Sequence, residues 1–307
     1  MDLHYLEIFN TVAECSSFKK ASEVLHLSQP AISIQMKKLE SQTSLKLFYK
    51  SGNKIYLSES GLMLYSYTRR IISILEEIED NISNVRDVVS GTINLGGSNT
   101  PGTYILPIVI GEMKKLYPSV TINLHIANTS EITTLIDNGS LDIAVNGGDN
   151  NYNSYIYSEV LYYDRLSVIA SPENSLCSRE HIEVNDLAKE GFIVHEKTSQ
   201  LYTCYKSFID KFNLPKNISM YLGNIDAIKH AVNANLGISY IPYYAVKFEV
   251  EKGYLRELKF GPDKYDYPYS LIYNRDKNIS QSLQKFIEVL KKVFQNLNDD
   301  IHNDLPD

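Results

Sequence analysis

The sequence predicts an N-terminal all-α winged helix-turn-helix, a long linker helix, and a C-terminal α/β domain in two lobes. Three observations carry this expectation. Three short helical segments open the chain, with a tight turn between the second and third. A heptad run of inward positions follows from residue 68 to 89. From residue 92 onward, strand patterns alternate with helical ones.

Each element has its own local cause. Leu3, Leu6, Phe9, Val12 and Ala13 recur at helical spacing, so residues 2–14 form a first helix. Ser17 caps a second over 18–25. Leu27–Ser28 make a turn, and Ser28 caps a third helix with Pro30 in its first turn, where backbone N–H groups lack partners anyway. On that helix Ile32, Met36 and Leu39 share one face, while Pro30, Ser33 and Lys37 share the other. Ile34 falls in the middle of the second, polar face.

Gly52–Asn53, flanked by Tyr49 and by Ile55, Tyr56 and Leu57, reads as the turn of a small hairpin, the wing. Ser58 or Ser60 starts the linker helix. Its seam is Thr68, Ile71, Leu75, Ile78, Ile82, Val85 and Val89, with Glu76, Glu77, Glu79, Asp80, Arg86 and Asp87 off it, which predicts a coiled-coil dimer.

Past Ser90–Gly91 the chain reads strand 92–97, a loop, a helix to about 116, strand 120–126, helix 130–138 and strand 141–145. This is βαβαβ with parallel strands. Residues 157–171 read as two strands crossing into a second lobe. There, strands 192–196, 218–222 and 237–242 alternate with helices 200–212 and 225–235. A strand at 267–274, a helix over about 279–297 and a frayed polar tail complete the expectation. The domain bounds are then 1–60, 61–90 and 91–307, with lobe I about 91–162 and 267–300 and lobe II about 163–266.

Charge is segregated. The net charge is -7, which argues against a protein that coats nucleic acid over its whole surface. Yet residues 15–54 hold seven lysines (19, 20, 37, 38, 46, 50 and 54) against Glu23 and Glu40. That window therefore carries +5 and the remainder -12, a local basic footprint. Cys15, Cys177 and Cys204 form no CxxC pair, so neither a zinc site nor a disulfide framework is suggested, and reduced thiols in the cytoplasm are expected. The N-terminus lacks the apolar core of a signal peptide, and no apolar run approaches a membrane span.

Enzyme motifs are missing. Residues 97–103, GSNTPGT, approach a P-loop in spacing but lack its lysine, and no GxSxG, HExxH or GxGxxG occurs. The seven histidines do not cluster along the chain. The 97–103 segment does follow the carboxyl end of a strand and precede a helix, the place where ligands sit in open α/β sheets. Ser98, Asn99 and Thr100 offer donors there beside free N–H groups suited to an anion. A plain helix cap is the alternative.

The run SFKKASEVLHLSQPAISIQMKKLESQTSLKLFYKSGNKIYLSESG resembles the DNA-binding domain of LysR-type transcriptional regulators, in its SF-x-x-A-x-x-L-x-x-SQPA-x-S core and the LF leading into the wing. The likeness extends, more loosely, over nearly the whole chain. GNIDAIKHAVNANLGISYIP (223–242) is similar to a segment of the family's two-lobed domain, which resembles type 2 periplasmic binding proteins. Ser44 departs from the family's usual glycine and Lys50 from its arginine, and the latter weakens one expected bidentate phosphate contact.

The resemblance implies a homodimer or homotetramer that binds double-stranded DNA at an inverted repeat and answers to a small-molecule effector, with no cofactor, catalytic residue or metal. Its third helix would lie in the major groove. Ser28, Gln29, Pro30, Ser33 and Lys37 would stand at or near the bases, and Ile34 at thymine methyl groups. Lys19, Lys20, Lys38, Lys50 and Lys54 would meet phosphates. GSNTPGTYILP (97–107) further resembles the sulfur-assimilation and carbon-fixation regulators of the family, which implies an anionic effector near Ser98, Asn99, Thr100, Thr129, Gly147, Ser199 and Asn224. Tyr202 stands near the place where those subgroups often carry arginine. Two other classes remain open at this level: a cytoplasmic solute-binding module without a regulatory role, and an enzyme using the cleft.

Overall fold

A computed structural model describes residues 2–51, 54–84, 89–260, 265–277 and 279–304. The chain divides into two units, each with its own core: Met1–Val88 with Asn138–Ser140, and Val89–Asp137 with Leu141–Asp307.

The first unit is built on capped helices. The Asp2 carboxylate accepts from the His4 N–H ahead of α1 (Leu3–Cys15). The Ser17 hydroxyl accepts from Lys20 N at 3.3 Å to start α2 (Phe18–Val24), and Ser28 from Ala31 N at 3.3 Å to start α3 (Gln29–Thr43). Each satisfies a backbone donor that the first helical turn leaves without a partner. The core is Leu6, Phe9, Val12 and Ala21 against Ile32, Met36 and Leu39, the face that the helical spacing predicts. α3 ends on Ser44 in the left-handed region, φ 55°.

Glu40, one of the two acids in the basic window, turns inward. Its Oε1 accepts from Leu47 N at 2.8 Å and Phe48 N at 3.4 Å, fixing the turn into the wing. The wing is β1 (Phe48–Ser51) paired antiparallel with β2 (Lys54–Leu57), Phe48 opposite Leu57. Its Gly52–Asn53 turn lies outside the described residues.

Ser58 caps α4 (Glu59–Asn84), accepting from Gly61 N at 3.0 Å. Here the structure shifts the expected seam. Thr68 is buried in its own unit, 1% exposed. The exposed apolar stripe runs through Met63, Tyr67, Ile71, Ile74 and Ile78, so Tyr67 and Ile74 replace Thr68 and Leu75. Val89, expected as the last seam position, lies beyond the helix and packs on the core of the second unit. Val85, Arg86 and Asp87, and the side chains of Lys54, Glu76, Glu77, Glu79, Asp80 and Ile82, lie outside what is described.

The second unit is the α/β part. β3 (Gly91–Ser98) runs directly into helix: instead of the expected loop at 97–103, Asn99 and Thr100 are helical, a π-turn covers Pro101–Ile105, and α5 (Leu106–Leu116) continues it. β4 (Val120–Ala127), α6 (Thr129–Asp137) and β5 (Ile143–Gly147) follow. β4 and β5 flank β3, both parallel to it, as predicted.

Residues 157–171, expected as two strands, form one: β6 (Ile156–Ala170). β7 (Phe192–His195), α7 (Gln200–Lys211), β8 (Ile218–Leu222), α8 (Ile225–Asn233), β9 (Ser239–Pro242), α9 (Lys247–Glu251), β10 (Arg256–Glu257), β11 (Tyr265–Asn274) and α10 (Gln281–Asp304) complete the chain. The polar tail expected to fray is helical to Asp304.

β6 serves both lobes. Its first part pairs with β11, which also pairs with β5, while residues Leu166–Ala170 pair with β9 and β10. The change falls at Asp164–Arg165, both buried. Asp164 accepts from Tyr269 Oη at 2.8 Å, Tyr244 N at 3.1 Å and Arg165 N at 2.8 Å. Burial still pushes its carboxyl up, to about 6. Arg165 lies over the Tyr243 ring and forms a two-pronged ion pair with Glu257, which also accepts from Ser167.

Candidate functional site

The N-terminal half of α3 has one face committed to the core, and its other face is open. Gln29, Pro30, Lys37 and Lys38 are exposed, Ser33 is half-buried, and Ile34 is 56% exposed. Ser28 is exposed too, but its hydroxyl is engaged in the cap. Lys19 and Lys20 stand exposed at the start of α2, and Lys50 on β1. The predicted cations and α3 residues therefore belong to one unit of small, capped elements, with an apolar side chain set among the polar ones.

In the second unit, the residues predicted around a ligand divide into two kinds. Some have their polar atoms spent internally. Ser98, 5% exposed, accepts from Gly147 N at 2.8 Å, tying the carboxyl ends of β3 and β5 together. Gly147 packs tightly, since a Cβ would stand 3.0 Å from Tyr267 Oη. Thr100, just ahead of the π-turn, is buried. Ser199 accepts from Tyr202 N at 3.1 Å to cap α7. Asn224 accepts from Asp226 N at 2.7 Å and Ala227 N at 3.2 Å to cap α8, and it does not line the cavities described next.

Others face open space. Thr129, the first residue of α6, lines a cavity of about 320 Å³ with Thr133, Asn150, Tyr152, Thr198 and Gln200. Two helix starts, those of α6 and α7, meet at it, and no described lining residue is charged. The partial positive ends of both helices and the ring of hydroxyls and amides suit a small anion. The buried Tyr152 hydroxyl makes no hydrogen bond of ordinary geometry among the described residues, and the Asn146 and Asn150 amides stand beside it.

Direct ties join the lobes. Asn99 Nδ2 stands 3.5 Å from His195 Nε2 at the end of β7. His195 is buried, which pulls its pKa below the usual value, so the ring is neutral at pH 7. Tyr104 of the π-turn donates to Asp226 Oδ1 at 2.7 Å. Lys229 sits 3.0 Å from Asp226 and 2.7 Å from Glu249, with its ammonium 4.6 Å from the Tyr104 ring centre. Burial works against the Lys229 charge, but these acids outweigh it and raise its pKa.

His195, Thr133, Asn150, Tyr152, Thr198 and Gln200 were not anticipated. Only Gln200 carried a hint, as the residue after a helix-capping serine. Cys177 and Cys204 are unsuited to nucleophilic chemistry: burial pushes the Cys204 thiol up to about 12 and raises Cys177 as well. No group of metal-ligating side chains is found among the described residues, nor any helix long and apolar enough to cross a membrane.

Comparison with known proteins follows the same division. Residues 3–62 match the family described as bacterial regulatory helix-turn-helix protein, lysR family, and residues 86–295 match LysR substrate binding domain. A probable RuBisCO transcriptional regulator of Cyanophora paradoxa is 31% identical over 297 residues, covering 95% of this chain and 92% of the relative. A full-length point variant of OxyR from Pseudomonas aeruginosa superposes with a TM-score of 0.73 at 18% identity, covering 96% of this chain and 95% of the other. Full-length CbnR complexed with its target DNA gives 0.70 at 18%, covering 95% and 100%. At such identities the structural likeness speaks for the fold.

Proposed function

The chain belongs to the LysR family of bacterial transcriptional regulators, and from that premise we propose that α3 enters the major groove of an inverted-repeat site while the cleft between the lobes holds an anionic effector. The protein is a DNA-binding transcriptional regulator with an effector-binding domain. The observation that carries the DNA part is the open face of α3. Gln29 there can pair with adenine and Lys37 can reach guanine or a phosphate, while Ile34 offers a methyl-bearing surface to thymine. Lys19, Lys20, Lys38, Lys50 and Lys54 set the register on the phosphates. The α4 stripe pairs two chains, so that two α3 helices meet two half-sites.

The observation that carries the effector part is the uncharged, hydroxyl-rich cavity where α6 and α7 begin. The bounds 1–60, 61–90 and 91–307 divide the labour among reading head, coupling helix and sensor, with the lobes at about 91–162 plus 267–300 and at 163–266. On this reading the chain is a cytoplasmic regulator and not an enzyme. An effector acts only through unequal affinity for two arrangements of the sensor, which α4 relays to the heads.

Two measurements test this. Footprinting on DNA flanking the protein's own gene should show a protected inverted repeat, and no protection at any salt concentration would sink the DNA part. A thermal-shift screen of sulfate, phosphorylated sugars and carboxylates should find an anion that adds about 2.7 kcal/mol of stability at a hundred times its dissociation constant. The stabilisation should vanish in Thr129→Val. Stabilisation by cations or neutral solutes alone would sink the anionic reading, and turnover of the bound compound would sink the non-enzyme one.

A further inference from the structure

Adjoining the hydroxyl-lined cavity at Gln200 lies a second, open one of about 660 Å³, within the range that holds small organic ligands. Its walls are of another kind: Leu166 and Val168 from β6, Phe208 from α7, and Tyr240, Phe260 and Tyr267. Phe208 stacks on Tyr240 with ring centres 4.3 Å apart, and Phe260 closes in at 5.9 Å from Phe208. The Cys204 thiol on this wall stays protonated and so behaves as an apolar group. Glu257 also borders the space, but Arg165 and Ser167 engage its carboxylate.

The remaining ionisable groups on the lining include both signs, Asp149 and Asp266 with Lys211 and Lys259. Charge therefore does not choose an occupant here, whereas the aromatic wall of Phe208, Tyr240 and Phe260 offers a flat apolar surface.

One side chain lines both cavities: Gln200. It is half-buried, and its Nε2 donates to Asp149 O at 3.1 Å. It lies across Gly148, a residue with φ 86°, where a Cβ would stand 2.3 Å from Gln200 Cγ. The seat exists because residue 148 has no side chain. One neutral hydrogen bond is a weak fastening beside the burial of an aromatic ring.

We infer that Gln200 is a movable partition within one ligand cleft, and that the second compartment takes a flat apolar group, such as an aryl ring, of an effector whose anionic end occupies the hydroxyl-lined side. This rests on the reading of that cleft as the effector site. Displacing Gln200 joins the two spaces, so the effector class is an amphipathic acid longer than either compartment. Gln200 then sets specificity: small anions bind without moving it, and aryl-bearing ones must move it.

The test uses the full-length protein and 1-anilinonaphthalene-8-sulfonate, an anion bearing aryl groups whose fluorescence rises on leaving water. Wild type should bind it saturably. Ser207→Trp places a bulky ring in this second compartment from an exposed position on α7, and should weaken binding tenfold or more. Thr203→Phe fills the same space and serves if the first variant misfolds. Gln200→Ala should strengthen binding severalfold by removing the partition. Titrations unchanged by either filling variant would overturn the second compartment, and equal affinity in wild type and Gln200→Ala would overturn the partition. A small-anion thermal shift lost in Thr129→Val, together with dye titrations unchanged by either filling variant, leaves the cleft standing while the compartment fails. No response to any anion defeats the cleft itself.

Discussion

Ser44 ends α3 with φ 55° and ψ 26°, a conformation that costs an L-residue with a Cβ roughly 1 kcal/mol or more relative to glycine. The resemblance marked this place as one where glycine is usual, and the backbone supplies the reason. Ser44→Gly should therefore stabilise the first unit by about 1 kcal/mol. Amide exchange at Met36 and Leu39 should slow about fivefold, and no slowing would mean that the serine offsets its own strain. Asp164 gives a second prediction at this scale. Its carboxyl is raised from 3.8 to about 6 in the fold, chiefly by burial. Between those values the native state holds a proton that the unfolded chain has released. Its favourable contribution is thus full below pH about 4 and is lost as pH rises through about 6. Relative to Asp164→Asn, the wild-type protein should gain unfolding free energy as pH falls from 7 toward 4.5. A difference flat across that window would show that its three hydrogen-bond donors outweigh its burial.

Among the elements, α4 shows how far periodicity reads and where it stops. The 3-4 spacing was visible, but a heptad leaves neighbouring stripes to choose from. Thr68 belongs to the stripe packed in its own unit, while Tyr67, Ile71, Ile74 and Ile78 face outward. Sequence alone does not say which stripe the first three helices have already taken. The π-turn at Pro101–Ile105 escaped for a related reason, because Gly97, Pro101 and Gly102 suggest a loop. A Cβ on Gly97 would come 2.6 Å from Gly102 Cα, so these glycines permit strand and helix to touch. β6 looked like two strands because its partners change at Asp164–Arg165, although its backbone continues. The candidate ligand residues were legible as strand ends and helix caps, and capping then engages the Ser199 hydroxyl and the Asn224 Oδ1. Gln200 and Tyr152 matter through partners remote in sequence, which no local pattern reveals. The shifted stripe carries its own prediction. Ile74→Asp should dissociate the oligomer in sedimentation velocity, whereas Leu62→Asp, exposed on another face of α4, should leave it intact. Equal behaviour of the two would remove α4 as the pairing surface.

At the scale of the molecule, the decisive feature is the separation of charge. The window from residue 15 to 54 carries +5 within a chain of net charge -7. An acidic sensor attached to a basic head weakens non-specific attraction to DNA while leaving the head its local attraction. Glu40 refines this picture, because its carboxylate serves the Leu47 and Phe48 N–H groups. The lysines and Ile34 should then separate in a single experiment. Each lysine at a phosphate releases condensed counterions, so Lys38→Gln and Lys50→Gln should each lower the magnitude of the log–log salt slope of DNA binding by about one. They should weaken all sequences alike. Ile34→Ala displaces no counterion, so its slope should match wild type while affinity falls by about 1 kcal/mol or more at sites with a thymine at one position. Fluorescence anisotropy over a salt series, on the native site and on that site with the thymine replaced by uracil, reads both quantities. Uracil lacks the methyl group alone, so if Ile34 reads that methyl, wild type on the uracil site should bind as Ile34→Ala does on the native one. A wild-type affinity indifferent to the methyl would make Ile34 an exposed apolar side chain with no reading role.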